Sequence, residues 1–184
     1  MATFDDEAYY VKDVIIVEDE KKSIPLLKTL AALLNSTVLR WYYETSFPTL
    51  HVQRDELASL PIPYLNNTED IAVLVDRMLA LNKDLQSKRA RFLRRLKDNM
   101  PDIKITGTLE TFDTLDFAGF VAELKKQKIK LTLVQQDEWE EYFGQYKAEL
   151  NEISAQIAAT DKEIDERVYA LYGLTEEEIR VVEA

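Results

Sequence analysis

A chain of 184 residues with 46% hydrophobic and 31% charged residues is long enough to bury a core, and its composition is globular rather than disordered. The absence of Cys excludes disulfides, thiolate metal sites and a Cys nucleophile. A formal net charge of −11 disfavours nucleic-acid binding by the whole surface, because attraction to phosphate grows with the positive charge presented.

The start of the chain predicts a strand and then a buried helix. Residues 9–17 are rich in β-branched and aromatic side chains, which favours a strand. Ser23 is a suitable N-cap with Pro25 in the first turn, and apolar residues then recur at helical spacing as far as Tyr42. This pattern predicts one continuous helix of about five turns.

A joint follows this helix. The sequence predicts a short extended piece around Leu50–Val52 and a turn of helix at Asp55–Ser59. Pro61 and Pro63 then push the residues before them towards extended geometry. We therefore place a domain boundary after residue 63.

Two long helices are predicted beyond the joint. The first is capped by Thr68, carries one apolar stripe over about 30 residues and ends before Pro101. The second runs from Asp137 to Gly173, a residue that favours helix termination. A short final helix starts at Thr175, where a glutamate three residues on completes a capping box.

The segment between the long helices has a different pattern. It predicts a short strand at Ile103–Ile105, a helix at Leu115–Lys126 and an alternating strand at Lys128–Val134. Helices with facing apolar stripes should pair antiparallel, with this segment at their tip.

The predicted fold is therefore α+β and mostly α. Residues 1–63 form an N-terminal strand–helix part. Residues 64–184 form a long antiparallel helical hairpin with a small α/β insertion at about 98–134.

Catalytic signatures are missing from this sequence. The single histidine, His51, has no Ser or Cys nucleophile pattern near it, and no metal-ligand spacing stands out. Four scattered glycines cannot build a Gly-rich phosphate loop. We expect this chain to supply no catalytic, cofactor-binding or metal-binding residue.

Membrane and export signals are also missing. No apolar run approaches the roughly 20 residues that a membrane-spanning helix needs. Residues 1–10 lack the basic and apolar regions of a signal peptide. We expect a cytoplasmic chain without a membrane partner.

Positive charge is concentrated in two places. Residues 83–97 hold seven basic residues against Asp84 alone, whereas residues 137–184 hold fourteen acids against four bases. The candidate DNA contacts in the first basic run are Lys88, Arg89, Arg91, Arg94, Arg95 and Lys97, and those in the second are Lys125, Lys126, Lys128 and Lys130. Cations on one helix edge suit a phosphate backbone, but they also suit pairing with the acids of residues 137–165. Both interpretations remain open on charge alone.

Four segments in chain order carry a family resemblance: "LAALLNSTVLRWYYE", "FPTLHVQRDELASLPIP", "IAVLVDRMLALNKDLQ" and "TDKEIDERVYALYGLTEEEIRVVE". Together they resemble the C-terminal region of bacterial DNA N6-adenine methyltransferases of restriction–modification systems, in particular type IIG enzymes with a TaqI-like specificity domain. Most matching positions are typical of packing and capping rather than of DNA contact.

The resemblance implies DNA target recognition. In such enzymes a separate domain binds S-adenosylmethionine and carries an Asn-Pro-Pro-Tyr-type motif, and the C-terminal region grips duplex DNA while an adenine is flipped out. This chain lacks that motif, so we expect a fragment or a separately encoded specificity piece that works with a catalytic methyltransferase domain of the same or a partner chain. Whether the parent protein also cleaves DNA stays open. The alternative is a helical interaction module that docks a methyltransferase or nuclease subunit.

Overall fold

The structure is a computed structural model that describes residues 23–47, 53–65 and 69–184. Within these ranges the helices are α1 (Ile24–Asn35), α2 (Thr37–Ser46), α3 (Arg54–Ala58), α4 (Glu69–Asn99), α5 (Gly107–Glu110), a 3₁₀ helix (Phe112–Thr114), α6 (Phe117–Lys126), α7 (Leu133–Tyr172) and α8 (Glu176–Val182). The described residues contain no strand, so the predicted α+β class is wrong and the correct class for them is all-α. The strand predicted at residues 9–17 and the extended piece at Leu50–Val52 lie outside the described residues.

The predicted strand at Ile103–Ile105 is an irregular segment held by a side chain. The Lys104 backbone N–H donates to Gln127 Oε1 at 2.8 Å, and Gln127 Nε2 donates to the Lys104 carbonyl at 3.0 Å. One amide side chain thus satisfies the backbone groups that a neighbouring strand would otherwise pair. Ile103 is buried, which explains its apolar character without a sheet.

The predicted strand at Lys128–Val134 fails for a related reason. Thr132 and Gln135 form reciprocal side-chain to backbone hydrogen bonds of 3.3 and 3.0 Å, so α7 begins at Leu133, inside the predicted strand. Ile129 and Leu131 pack against a helical core, which produces the alternating apolar pattern. The insertion predicted as α/β is therefore helical.

The expectation of one continuous helix before the joint is also wrong. The chain breaks at Ser36, whose ψ of 152° is extended. Its hydroxyl donates to the Leu33 carbonyl at 2.6 Å and accepts from the Leu39 N–H at 3.4 Å, so one side chain closes α1 and caps α2. The two long helices and the final capped helix are confirmed, with bounds within four residues of those predicted. The cap predicted at Thr68 lies outside the described residues.

The described chain divides into two compact units. Unit 2 is Leu79–Ala159, and unit 1 is the remainder of the described residues, namely those up to Met78 together with Thr160–Ala184. Helices α4 and α7 contribute residues to both units.

Unit 1 is built on an apolar core with a polar link to α7. Its core includes the fully buried Leu33 and Val168. At the start of α2, the Thr37 N–H and hydroxyl donate to the Asp165 carboxylate at 2.9 and 2.6 Å. The Asp165 carboxylate satisfies a backbone donor that a helix leaves free at its N-terminus, and its negative charge interacts favourably with the positive end of the helix dipole.

Unit 2 is organised around one aromatic side chain. Phe92 on α4 is fully buried, and its ring stacks on Phe112 with centroids 3.7 Å apart and on Tyr142 with centroids 5.6 Å apart. Trp139 and Phe143 of α7 contact the same ring edge-on. Because later residues of α4 meet earlier residues of α7, the two helices run antiparallel in this unit, with the insertion packed on them through Phe112.

Candidate functional site

The basic run of α4 divides into paired and unpaired cations. Lys88 Nζ lies 2.7 Å from Glu149 Oε2 of α7, and the hydrogen bond to this glutamate is the main cause that raises the pKa of Lys88. Glu149 is one of the acids considered as a partner in the sequence. Within the described residues, Lys88 is the one member of the α4 set whose ion pair reaches the acids of residues 137–165.

Arg89 is paired more deeply, and with a different acid. Its Nε and Nη2 donate to the two carboxylate oxygens of Asp113 at 2.9 and 2.7 Å. The Asp113 side chain is only 5% exposed and that of Arg89 is 19% exposed. A bidentate, largely buried pair of this kind fixes the insertion against α4 and leaves few donors for a ligand. No pattern in the sequence points to Asp113, which lies 24 residues from Arg89.

Arg91, Arg94 and Arg95 lie on the exposed side of α4 instead. Together with Asp98 they border a shallow, open depression of about 450 Å³ on the surface of α4, which we call the arginine cleft. No carboxylate of the described chain approaches any of the three guanidinium groups within 4.0 Å. Three guanidinium groups on little more than one helical turn repel one another, so this surface favours an anionic ligand.

Arg95 lies beside a pair of tyrosines at one side of this cleft. The rings of Tyr142 and Tyr146 are 4.8 Å apart, and that of Tyr142 stacks on buried Phe92. Burial raises the pKa of Tyr142, and interaction with Tyr146 adds to this effect, while the nearby Arg95 acts in the opposite direction. The tyrosine that neighbours Arg95 is therefore anchored in the aromatic core of unit 2.

The remaining predicted contacts lie elsewhere on unit 2. Lys97 is exposed on α4 and does not line the arginine cleft. Lys125 and Lys126 occupy the last turn of α6, and Lys126 pairs with Glu123 at 2.5 Å. Lys128 and Lys130 are exposed in the segment that follows α6.

The net charge is distributed unevenly between the two units. In Leu79–Ala159, thirteen Lys and Arg residues balance thirteen Asp and Glu residues. The whole of the formal −11 therefore arises from residues outside this unit. Unit 2 carries no net charge that would repel a polyanion, unlike the remainder of the chain.

Other kinds of site find no support in the described ranges. Among these residues no group of three or more His, Asp or Glu side chains is placed to hold a metal ion. None of the helices in the same ranges combines the length and the apolar character that crossing a bilayer requires. His51 lies outside the described residues.

Comparison with protein families identifies a match over much of the chain. A family model described as a domain of unknown function (DUF8810) matches residues 65–168. This range includes all of α4, the insertion and most of α7, and therefore every candidate contact described above. No curated protein and no solved structure shows significant similarity.

Proposed function

We propose that this chain, which belongs to the DUF8810 family of domains of unknown function, contacts the phosphate backbone of duplex DNA through the arginine cleft of α4. Arg91, Arg94 and Arg95 make the principal contacts. The observation that carries the proposal is that these three exposed guanidinium groups have no acid partner in the described chain, whereas Lys88 and Arg89, the two candidate contacts before them, each have one.

Phosphate suits this cleft for physical reasons. Arginine presents a planar fork of donors that matches phosphate oxygens, and its charge is retained at any physiological pH. Each contact to a phosphate releases counterions from DNA and positions the protein without reading the sequence. Such contacts hold the protein on the duplex without distinguishing one base sequence from another.

The other cations of the run have different roles in this proposal. Arg89 holds the insertion through its buried pair with Asp113 and is not available to phosphate. The Lys88 pair with Glu149 is partly exposed, so a phosphate can replace the glutamate at small cost. Lys97 is a peripheral contact, and Lys125, Lys126, Lys128 and Lys130 form a second set.

The biological setting follows from the sequence resemblance. We propose a DNA target-recognition region of a bacterial restriction–modification adenine methyltransferase, active in the cytoplasm. Its partner is a catalytic methyltransferase domain, in the same or another chain, that binds S-adenosylmethionine. In this setting the chain holds the duplex while that domain flips and methylates an adenine.

A pair of charge reversals tests the cleft. We expect Arg91→Glu combined with Arg95→Glu to weaken binding of a fluorescent 20-base-pair duplex by tenfold or more in 0.1 M salt, because two counterion-releasing contacts become repulsive. Fluorescence anisotropy measures this affinity. The matched control is Lys162→Glu with Arg167→Glu, two exposed cations of unit 1 that give the same change in net charge.

The control separates a local contact from a general charge effect. The proposal requires the control pair to weaken binding much less than the cleft pair. Equal losses in both variants would show that DNA responds to net charge rather than to the arginine cleft. The circular dichroism spectra of both variants verify that the helices remain folded.

A second candidate function is a helical module that docks a methyltransferase or nuclease subunit. One observation favours it: Leu133 and Val134, at the start of α7, are 80% and 67% exposed. Apolar side chains left this open on a surface are a common feature of protein interfaces. This function predicts that the isolated chain binds DNA weakly or not at all, with an affinity that hardly depends on salt.

A further inference from the structure

Lys128 occupies a backbone conformation that usually requires glycine. Its φ is +65°, and it is the one non-glycine residue of the described chain with a positive φ. A side chain in this left-handed region crowds the following carbonyl, so glycine is strongly preferred there.

The turn around Lys128 is a complete helix-terminating motif. The Lys128 N–H donates to the Lys125 carbonyl at 2.9 Å, and the Ile129 N–H donates to the Leu124 carbonyl at 3.0 Å. Ile129 and Leu124 belong to the same apolar cluster, which completes the contact that normally accompanies this motif. Lys128 thus stands at the position where such motifs place glycine.

The same chain provides an internal comparison at the end of α7. There the Gly173 N–H donates to the Ala170 carbonyl at 3.2 Å, and the Leu174 N–H donates to the Tyr169 carbonyl at 3.1 Å. Gly173 has the same φ of +65°. One turn therefore uses the unstrained residue, and the geometrically equivalent turn uses a lysine.

The surroundings of Lys128 show no structural use for its charge. Lys128 is exposed, and no carboxylate of the described ranges lies within 4.0 Å of its ammonium group. Lys125 and Lys126 already supply positive charge to the last turn of α6, where it favours the helix dipole. Lys130, two residues on, is a further exposed cation without an acid partner in that part of the chain.

We propose that Lys128 is a phosphate contact, and that it lowers the stability of its turn in exchange for binding a nucleic-acid backbone. Residues held in a strained conformation against their local preference are concentrated at functional sites. Lys128 then belongs, with Lys125, Lys126 and Lys130, to the second set of phosphate contacts on unit 2, none of which lines the arginine cleft. This inference rests on the proposed DNA-binding function and assigns a particular residue to it.

Lys128→Gly tests the inference because it relieves the strain and removes the charge together. We expect the Tm of the full chain to rise by about 2–4 °C, the usual effect of a small stabilisation in a protein of this size. We expect the Kd for a 20-base-pair duplex in 0.1 M salt to increase about fivefold, as for the loss of one counterion-releasing contact. Lys128→Asn, which tolerates the left-handed conformation without a charge, should give the same loss of affinity.

Gly173→Lys is the matched control. It places a lysine in the equivalent turn of unit 1, where a side chain is strained by the same φ. We expect this variant to lower the Tm without strengthening DNA binding.

Two results would overturn the inference. An unchanged or lower Tm for Lys128→Gly would mean that the lysine does not lower the stability of its turn. An unchanged Kd, with the wild-type chain still binding DNA, would remove Lys128 from the interface while leaving the arginine cleft as proposed. A wild-type chain that does not bind DNA would instead refute the proposed function itself, and this assignment with it.

Discussion

Truncation of Phe92 to alanine is expected to destabilise unit 2 by about 3–5 kcal/mol, the usual cost of removing a fully buried aromatic ring. The ring is completely enclosed and stacks on Phe112 and Tyr142, which come from the insertion and from α7. Its removal leaves a cavity at the point where three elements meet. Because such a loss is a large fraction of the stability of a typical domain, we expect the insertion to separate from α4 at moderate denaturant concentrations.

Tryptophan fluorescence can follow this unfolding in a single unit. The chain has two tryptophans, so a Trp41→Phe background leaves Trp139, which lies in the aromatic core of unit 2. The matched control is Leu93→Ala, the next residue of α4, which is only partly buried. If Phe92→Ala loses no more stability than Leu93→Ala, Phe92 is not the main packing residue of the unit 2 core.

Replacement of Arg89 by methionine is expected to cost about 3 kcal/mol, because it leaves the buried Asp113 carboxylate without its partner. The methionine keeps most of the apolar stem of the arginine, so the loss arises mainly from the missing charge and its two hydrogen bonds. Urea unfolding at pH 7 measures the change.

A second substitution isolates the pair. Arg89→Met combined with Asp113→Leu should recover most of the stability, because no charge then remains buried. Lys88→Met removes the neighbouring, more exposed pair with Glu149 and should cost less than about 1 kcal/mol. Two results would contradict a stabilising role for the Arg89–Asp113 pair. One is an equal loss of unfolding free energy in Arg89→Met and Lys88→Met. The other is strict additivity of the two single changes in the Arg89→Met, Asp113→Leu variant.

The long helices of this fold follow from local sequence pattern, whereas the strands predicted at Ile103–Ile105 and Lys128–Val134 do not form. The long helices α4 and α7 are evident because apolar spacing repeats over many turns. The segment Lys128–Val134 alternates in the same way as a strand, yet the backbone there is governed by the reciprocal cap between Thr132 and Gln135. Alternation of apolar and polar residues over so short a segment cannot distinguish a strand from an irregular segment that leads into a capped helix. Core contacts at one end and a helix cap at the other produce the same alternation.

The candidate site was only partly predictable for a different reason. The sequence shows which residues are cationic and that Arg91, Arg94 and Arg95 share one helix. It does not show which cations are already paired. Arg89 meets Asp113 only because the insertion folds back onto α4, and no periodicity encodes such a contact. The left-handed φ of Lys128 was equally hidden, because a lysine gives no signal for a conformation that normally selects glycine.

The salt dependence of DNA binding tests the central proposal most directly. For the wild-type chain, the logarithm of the binding constant should fall linearly with the logarithm of salt concentration. Replacing Arg91, Arg94 and Arg95 together by alanine should make this slope shallower by about 2–3, because each phosphate contact contributes about 0.9 to it. A flat wild-type dependence, or the same slope in the triple variant, would contradict phosphate binding by the arginine cleft.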